Sequence, residues 1–245
     1  MRRITVQNDL AGRPLKDIYQ QAADRDIPVT RAERAVLDQA TGGGAHQGVI
    51  AYPAAVSYAS FDDILAQAAS ASAPATTATS GHWAPFLLVC DGINDPGNLG
   101  ALIRSAEGAG CHGVIVPERR SAGLTGVVAK TSAGAVAHIP VAQVTNLPRA
   151  LGDLKKAGYW IVGATMDGER TLWEQDLRGP IAVVVGGEGR GLSRLVAEGC
   201  DFLVRIPMYG KVQSLNASVA GALLMYEVVR QRTVDKAAVM LQTKE

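Results

Sequence analysis

The sequence predicts a doubly wound α/β domain built on a parallel sheet, preceded by a smaller α/β domain. Three observations predict it. Five short apolar runs rich in Val and Ile recur through the second part of the chain, helical patterns alternate with them, and a stretch of Ala, Ser and Thr divides the two parts. That stretch, Ala66 to Gly81 with Pro74 inside, has little to bury and reads as a linker. The expected organisation is a small domain over residues 1–65, a linker over 66–81 and a larger domain over 82–245.

In the first part, Arg3 to Val6 and Gly48 to Tyr52 read as strands, and Ile27 to Val29 as a shorter one. Leu15, Ile18, Tyr19 and Ala22 carry helical spacing, so Leu15 to Asp24 is a helix. Arg31 to Gln39 reads as a second helix with Thr30 as its N-cap. Glycines 42 to 44 make a loop.

In the second part the expected strands are Phe86 to Cys90, Gly113 to Pro117, Tyr159 to Ala164, Ile181 to Val185 and Leu203 to Ile206. Apart from Arg205 in the last, each is apolar throughout, as strands buried on both faces of a parallel sheet must be. The expected helices are Leu99 to Ala109, Leu124 to Ser132, Leu147 to Ala157, Leu192 to Glu198 and Leu215 to Arg232.

Composition narrows the function. The chain has 245 residues, 47% hydrophobic and 19% charged, with 24 basic residues against 23 acidic. This is a globular composition, and no segment is a polycation, so a protein that coats nucleic acid with charge is excluded while a local phosphate grip is not. Cys90, Cys111 and Cys200 form neither a metal motif nor a disulfide framework, and His46, His82, His112 and His138 are scattered. No metal site is expected. No apolar run reaches about 18 residues, and Met1-Arg2-Arg3 opens on polar sequence without a signal-type segment, so a cytoplasmic protein is expected.

In a doubly wound sheet the ligand sits beyond the carboxyl ends of the strands. Three loops there carry candidate chemistry. After the first strand, Asp95-Pro96-Gly97 turns the chain, Asn98 can cap the next helix, and Arg104 follows six residues on. An ordinary turn and a surface arginine would read the same way. Later comes Gly186-Gly187-Glu188-Gly189-Arg190-Gly191, whose glycines let backbone approach a ligand. A dinucleotide fingerprint would need glycine where Leu192 stands and an earlier place in the chain, and a phosphate loop would need Ser or Thr where Val212 follows Gly210-Lys211. Glu188 suits a donor-bearing group better than a pyrophosphate, or is simply a solvated carboxylate. The third loop, Ile206 to Asn216, enters the last helix with Ser214 as a plausible N-cap and Asn216 in the first turn. No nucleophile elbow or triad is legible.

Taken together the loops read N-x-G-x-x-x-R-x-A-x-x-x-G, then G-x-E-x-x-G, then I-P-M-x-G-x-x-x-S-L-N-x-S-x-A. Three motifs in this order resemble the SpoU/TrmH family of RNA 2′-O-ribose methyltransferases, of the SPOUT class, over Phe86 to Arg232. Gly44 to Ile50 and the Val144 to Pro148 segment are similar to the branch that modifies a guanosine of 23S ribosomal RNA, whose N-terminal domain is L30e-like and binds RNA. Members of that branch usually carry a further strand and helix before the segment matching Arg3, so either the start codon is misassigned or the N-terminal domain is pared down.

The resemblance implies a deep trefoil knot, a homodimer, and S-adenosylmethionine as methyl donor without a metal. It implies cofactor contacts at Gly186, Ile206, Leu215, Met208, Gly210 and Thr165. It implies a polar constellation of Arg104, Asn98, Glu188, Ser214 and Asn216, with Arg104 on the phosphate beside the target ribose, as guanidinium geometry favours, or acting as the base. Arg119, Arg120 and Lys130, with Arg2, Arg3, Arg13 and Arg31, are candidates for an RNA track, although solvated faces carry such charges commonly. Transfer RNA is the alternative substrate. An oxidoreductase on a Rossmann-like sheet, or an RNA-binding protein with a dead site, is the alternative class.

Overall fold

A computed structural model describes residues 3–52, 57–71 and 84–242, leaving aside the side chains of 13, 14, 71 and 235–242. The chain divides into two compact units, Met1–Val56 and Ser57–Glu245.

The first unit runs β1 (Arg3–Gln7), α1 (Arg13–Ala23), β2 (Val29–Ala32), α2 (Arg34–Ala40) and β3 (Val49–Tyr52). Its sheet has the order β2-β1-β3, with β1 parallel to β2 and antiparallel to β3. Ile4, Val6, Leu15 and Ala22 form the core, with Ile18, Val29 and Val49 packed against it. Thr30 and Arg31 differ from expectation. They lie in β2, paired with Thr5 and Val6, and the helix starts later, after Glu33. Thr30 and Arg31 are both exposed at the centre of β2, so polar residues hide the strand.

The second unit opens with α3 (Phe61–Ala71), which the Ala-rich composition had assigned in part to the linker. Ile64 and Ala68 are fully buried there, and Ile64 packs where Gly113 has no side chain. The unit boundary therefore falls at 56/57 rather than 65/66, because small residues on a helix can pack as well as idle. Residues 72–81 of the expected linker lie outside the described residues, as do Arg2, His82 and the Arg13 side chain.

The remaining elements are β4 (Phe86–Asp91), α4 (Pro96–Gly108), β5 (Gly113–Pro117), α5 (Gly126–Thr131), β6 (Val141–Val144), α6 (Leu147–Lys156), β7 (Trp160–Ala164), β8 (Arg170–Thr171), β9 (Ile181–Gly186), α7 (Arg194–Gly199), β10 (Phe202–Arg205) and α8 (Ala217–Gln242). They build a seven-stranded parallel sheet of order β6-β5-β4-β9-β7-β10-β8. The five expected strands are present. β6 and the two-residue β8 were not anticipated, since both are short and carry exposed polar residues.

The strand order places the site. From β4 the chain moves outward through β5 and β6, then returns to the other side for β7, and β9 later fills the gap between them. The reversal lies at β4 and β9, where a crevice opens beyond the carboxyl ends. Register makes this concrete, since Asp91 pairs with Gly186 and Ala164 with Val204, so four strands end at one level. Helix signals are local: Asp95 caps α4 with Pro96 behind it, and Asn146 caps α6. Arg232 of α8 is buried and donates to the Ala84 and Gly179 carbonyls near the starts of β4 and β9.

Candidate active site

The three motif loops meet at this crevice. After β9, Gly187 N–H donates to the Asp91 carbonyl at 2.8 Å, and Gly191 N–H closes the loop on the Gly187 carbonyl at 3.0 Å. A Cβ on Gly186 would overlap the Gly191 carbonyl, and one on Gly187 would overlap the Gly92 carbonyl. Gly189 and Gly191 hold positive φ of 79° and 62°. Glycine is thus needed for both close approach and backbone shape. Asp91 Oδ2 accepts from Ser193 N–H at 2.6 Å, anchoring the far end of the loop.

The loop after β7 forms a second wall. Thr165 N–H pairs with the Val204 carbonyl, while its Oγ1 is buried without a hydrogen-bond partner. Arg205 Nη1 holds the loop by donating to the Gly168 and Glu169 carbonyls at 2.6 and 3.1 Å. The segment between β10 and α8 supplies the third wall through Ile206, Met208, Ser214 and Leu215. The cavity they enclose has a volume of about 430 Å³. Its apolar walls and backbone groups suit one flat, partly polar small molecule.

At the rim three polar side chains join. Glu188 Oε1 accepts from Asn98 Nδ2 at 2.9 Å and from Asn216 Nδ2 at 2.6 Å, and Asn216 Nδ2 also reaches Asn98 Oδ1 at 3.0 Å. The two amides fix the carboxylate in one orientation. Asn216 Oδ1 meanwhile accepts from Ser218 N–H at 2.9 Å and Ser218 Oγ at 2.6 Å, so Asn216 caps α8.

Of the expected cofactor residues, Gly186, Ile206, Leu215, Met208 and Thr165 line the cavity, while Gly210 lies outside its lining in open space. Glu188, Ser214 and Asn216 line it too. The cap of α8 is Asn216 rather than Ser214. The cap of α4 is Asp95, whose Oδ1 accepts from Asn98 N–H at 2.7 Å, and this frees the Asn98 side chain for Glu188. Arg104 is exposed and outside the cavity. Six helical residues turn it about 120° from Asn98 around α4. Asn98 and Glu188 bond to each other and to Asn216 rather than to Arg104. Sequence reading missed Asp91, Gln213 and Val185. Only the strand-end position of Asp91 could have signalled it. Among the described residues, no group of His, Cys, Asp and Glu is placed to hold a metal ion.

A parallel sheet whose switch-point loops enclose a glycine-cradled cavity, with an amide-fixed carboxylate at its rim, defines an α/β enzyme of the small-cofactor-binding kind. Residues 85–226 match the model of the SpoU rRNA Methylase family, and residues 1–59 match that of RNA 2′-O ribose methyltransferase substrate binding. The chain is 44% identical over 227 residues to the TrmH family tRNA/rRNA methyltransferase YacO of Bacillus subtilis, covering 93% of this chain and 86% of that one. It superposes on an AdoMet-bound rRNA methyltransferase from Sinorhizobium meliloti with a TM-score of 0.72 at 22% identity, over 94% of this chain and 80% of that one. It superposes on an RNA 2′-O ribose methyltransferase with a TM-score of 0.68 at 28% identity, over 95% and 82%. The chain belongs to the SpoU/TrmH family of RNA methyltransferases.

Proposed function

We propose that the protein transfers a methyl group from S-adenosylmethionine to a ribose 2′-hydroxyl of structured RNA, with a guanosine of 23S ribosomal RNA as target. The observation that carries this is the meeting of the Asn98, Glu188 and Asn216 side chains at the mouth of the glycine-cradled cavity. The residues fit the donor. Ile206, Met208 and Leu215 offer flat apolar contact for an adenine, the Gly186 backbone has no side chain to block approach, and the buried Thr165 Oγ1 has no partner in the protein. When bound, S-adenosylmethionine supplies an activated methyl on a sulfonium, so no metal is called for.

The chain's own work is positioning and handling the hydroxyl proton. Asn98 and Asn216 hold Glu188 in place at the rim, and Ser214 and Asn216 face the ribose. Arg104, exposed on α4, clamps the phosphate beside it, since guanidinium matches phosphate geometry and stays charged. The protein acts as a homodimer. The apolar stripe of Val219, Leu223 and Tyr226 on α8, spaced four and three residues and exposed by 47, 38 and 51%, suits a second copy. The trefoil knot implied by the resemblance sets the loops after β9 and β10 side by side, and the Asn216–Glu188 bond between them supports that reading. The first unit binds RNA through an L30e-like fold, and its match to a substrate-binding model supports that role. Three free cysteines are in keeping with a cytoplasmic setting.

The test is methyl transfer from labelled S-adenosylmethionine to ribosomal and transfer RNA prepared from a strain lacking the gene, with the modified nucleotide mapped. A single labelled guanosine 2′-hydroxyl in 23S rRNA is expected. Label confined to transfer RNA would transfer the assignment to that substrate, as the mixed naming of the Bacillus relative allows.

A further inference from the structure

The segment between β10 and α8 has two faces. Met208, Gln213 and Ser214 line the cavity, whereas Tyr209 and Val212, between them in sequence, are 93% and 67% exposed. Trp160 lies 5.6 Å from Phe202, Tyr19 accepts a hydrogen bond from Arg31, and Trp173 and Tyr226 are only 47% and 51% exposed. Among the described residues, no ring contact or hydrogen bond holds Tyr209. A tyrosine normally recovers a large apolar area by packing, and here the whole ring stands in water next to a residue of the cavity wall. Gly210 beside it meets nothing within 4 Å of where a Cβ would sit. The segment Ile206 to Asn216 contains no acidic residue, and its one charge is Lys211.

We propose that Tyr209 is an RNA-binding residue: it stacks on an unpaired base flanking the target nucleotide, while Lys211 meets the adjoining phosphate. This rests on the RNA methyl-transfer reading above. A ribose hydroxyl reaches a walled cavity only if its nucleotide leaves the stack, and its neighbour then loses a stacking partner. An aromatic ring exposed at the rim replaces that partner, and every base has a face to offer it. Tyr209 follows Met208 of the cavity wall directly in sequence, so its backbone is anchored beside the site.

The test uses the full-length protein with an unmodified large-subunit rRNA transcript and S-adenosylmethionine. Tyr209→Ala raises KM for RNA roughly tenfold to a hundredfold, as loss of one base stack predicts, with the cofactor Kd held. Tyr209→Trp restores the low KM, and its added emission over the wild type is quenched by RNA. Tyr209→Leu behaves like Ala, although it keeps apolar bulk. Lys211→Ala lowers the slope of log Kd against log salt by about one. A Leu variant equal to the wild type overturns the proposal. So does an Ala variant that turns a dimer into a monomer, for the ring would then belong to a second copy. A wild type that methylates neither ribosomal nor transfer RNA overturns this proposal together with the reading beneath it, whereas an active wild type with an indifferent Tyr209→Ala overturns this one alone.

Discussion

Asn216 Nδ2 donates to Glu188 Oε1 across 2.6 Å, tying the segment before α8 to the glycine loop after β9. The same asparagine caps α8 through its Oδ1, so one side chain sets both the helix start and the rim of the cavity. Two substitutions separate these roles. Asn216→Ala removes cap and donor together and should cost about 1 kcal/mol, a few degrees in Tm for a chain of this size. Asn216→Asp keeps an acceptor for Ser218 N–H at a helix N-terminus that favours negative charge, yet sets a carboxylate against Glu188. It should lower Tm less than Ala does, while both variants lose at least tenfold in methyl transfer.

Gly186→Ala tests the cradle. Its Cβ would overlap the Gly191 carbonyl and crowd the Leu192 nitrogen, and both are backbone atoms with no rotamer to yield. Overpacking of this kind costs about 1–3 kcal/mol, and relief requires the loop to open. Cofactor titration should show affinity falling by tenfold or more, beyond what the loss in Tm accounts for. Gly152 in α6 is the counter-case, since a Cβ there meets nothing within 4 Å. Gly152→Ala should raise stability by roughly 0.5–1 kcal/mol and leave cofactor affinity alone.

Arg104 is exposed on α4 and does not line the cavity. Arg104→Ala should therefore leave the cofactor Kd within about twofold and the Tm close to wild type, as surface substitutions usually do. Turnover on RNA should fall by two orders of magnitude or more, because a charge-assisted phosphate grip and the local geometry are both lost. Arg104→Lys should recover only part, since an ammonium cannot reproduce the bidentate fork. Full activity in the alanine variant would remove Arg104 from the reaction.

The pattern of what was legible in the sequence follows from physics. β4, β5, β7 and β9 are buried on both faces, so their Val and Ile runs announced them, while β6 and β8 at the two edges expose residues such as Gln143 and Arg170 and left no such run. α3 was hidden by composition, because Ala68 buries its small side chain just where an alanine-rich stretch reads as idle. Among the expected site residues, Gly186, Ile206, Leu215, Met208, Thr165, Glu188, Ser214 and Asn216 line the cavity, while Gly210 and Arg104, from the same motifs, do not. The caps differ from those expected, because Asp95, Asn98, Ser214 and Asn216 are all good caps and only the partners across the crevice decide which one is used. Asn98 is released for Glu188 by Asp95, and the 90 residues between Asn98 and Glu188 put that choice beyond any local pattern.

His112 gives stability a dependence on pH. It sits just before β5, its Nδ1 accepts from Phe86 N–H at 3.1 Å, and its own N–H donates to the Phe86 carbonyl at 2.7 Å. Burial, and the nearby Arg232 charge after it, hold its pKa below the ordinary 6.5. The folded state therefore takes up this proton less readily than the unfolded chain does. Between the folded value and 6.5 the unfolded state binds more protons, so stability is fully present above 6.5 and declines as pH falls below it. Protonation would also set an N–H against the Phe86 N–H, loosening the start of the central strand β4. Thermal midpoints measured from pH 7.5 down to 5.5 should fall for the wild type. His112→Asn offers an acceptor near the Nδ1 position without titrating, and its midpoint should fall less steeply over the same range. A variant that tracks the wild type at every pH would assign the acid sensitivity to another group.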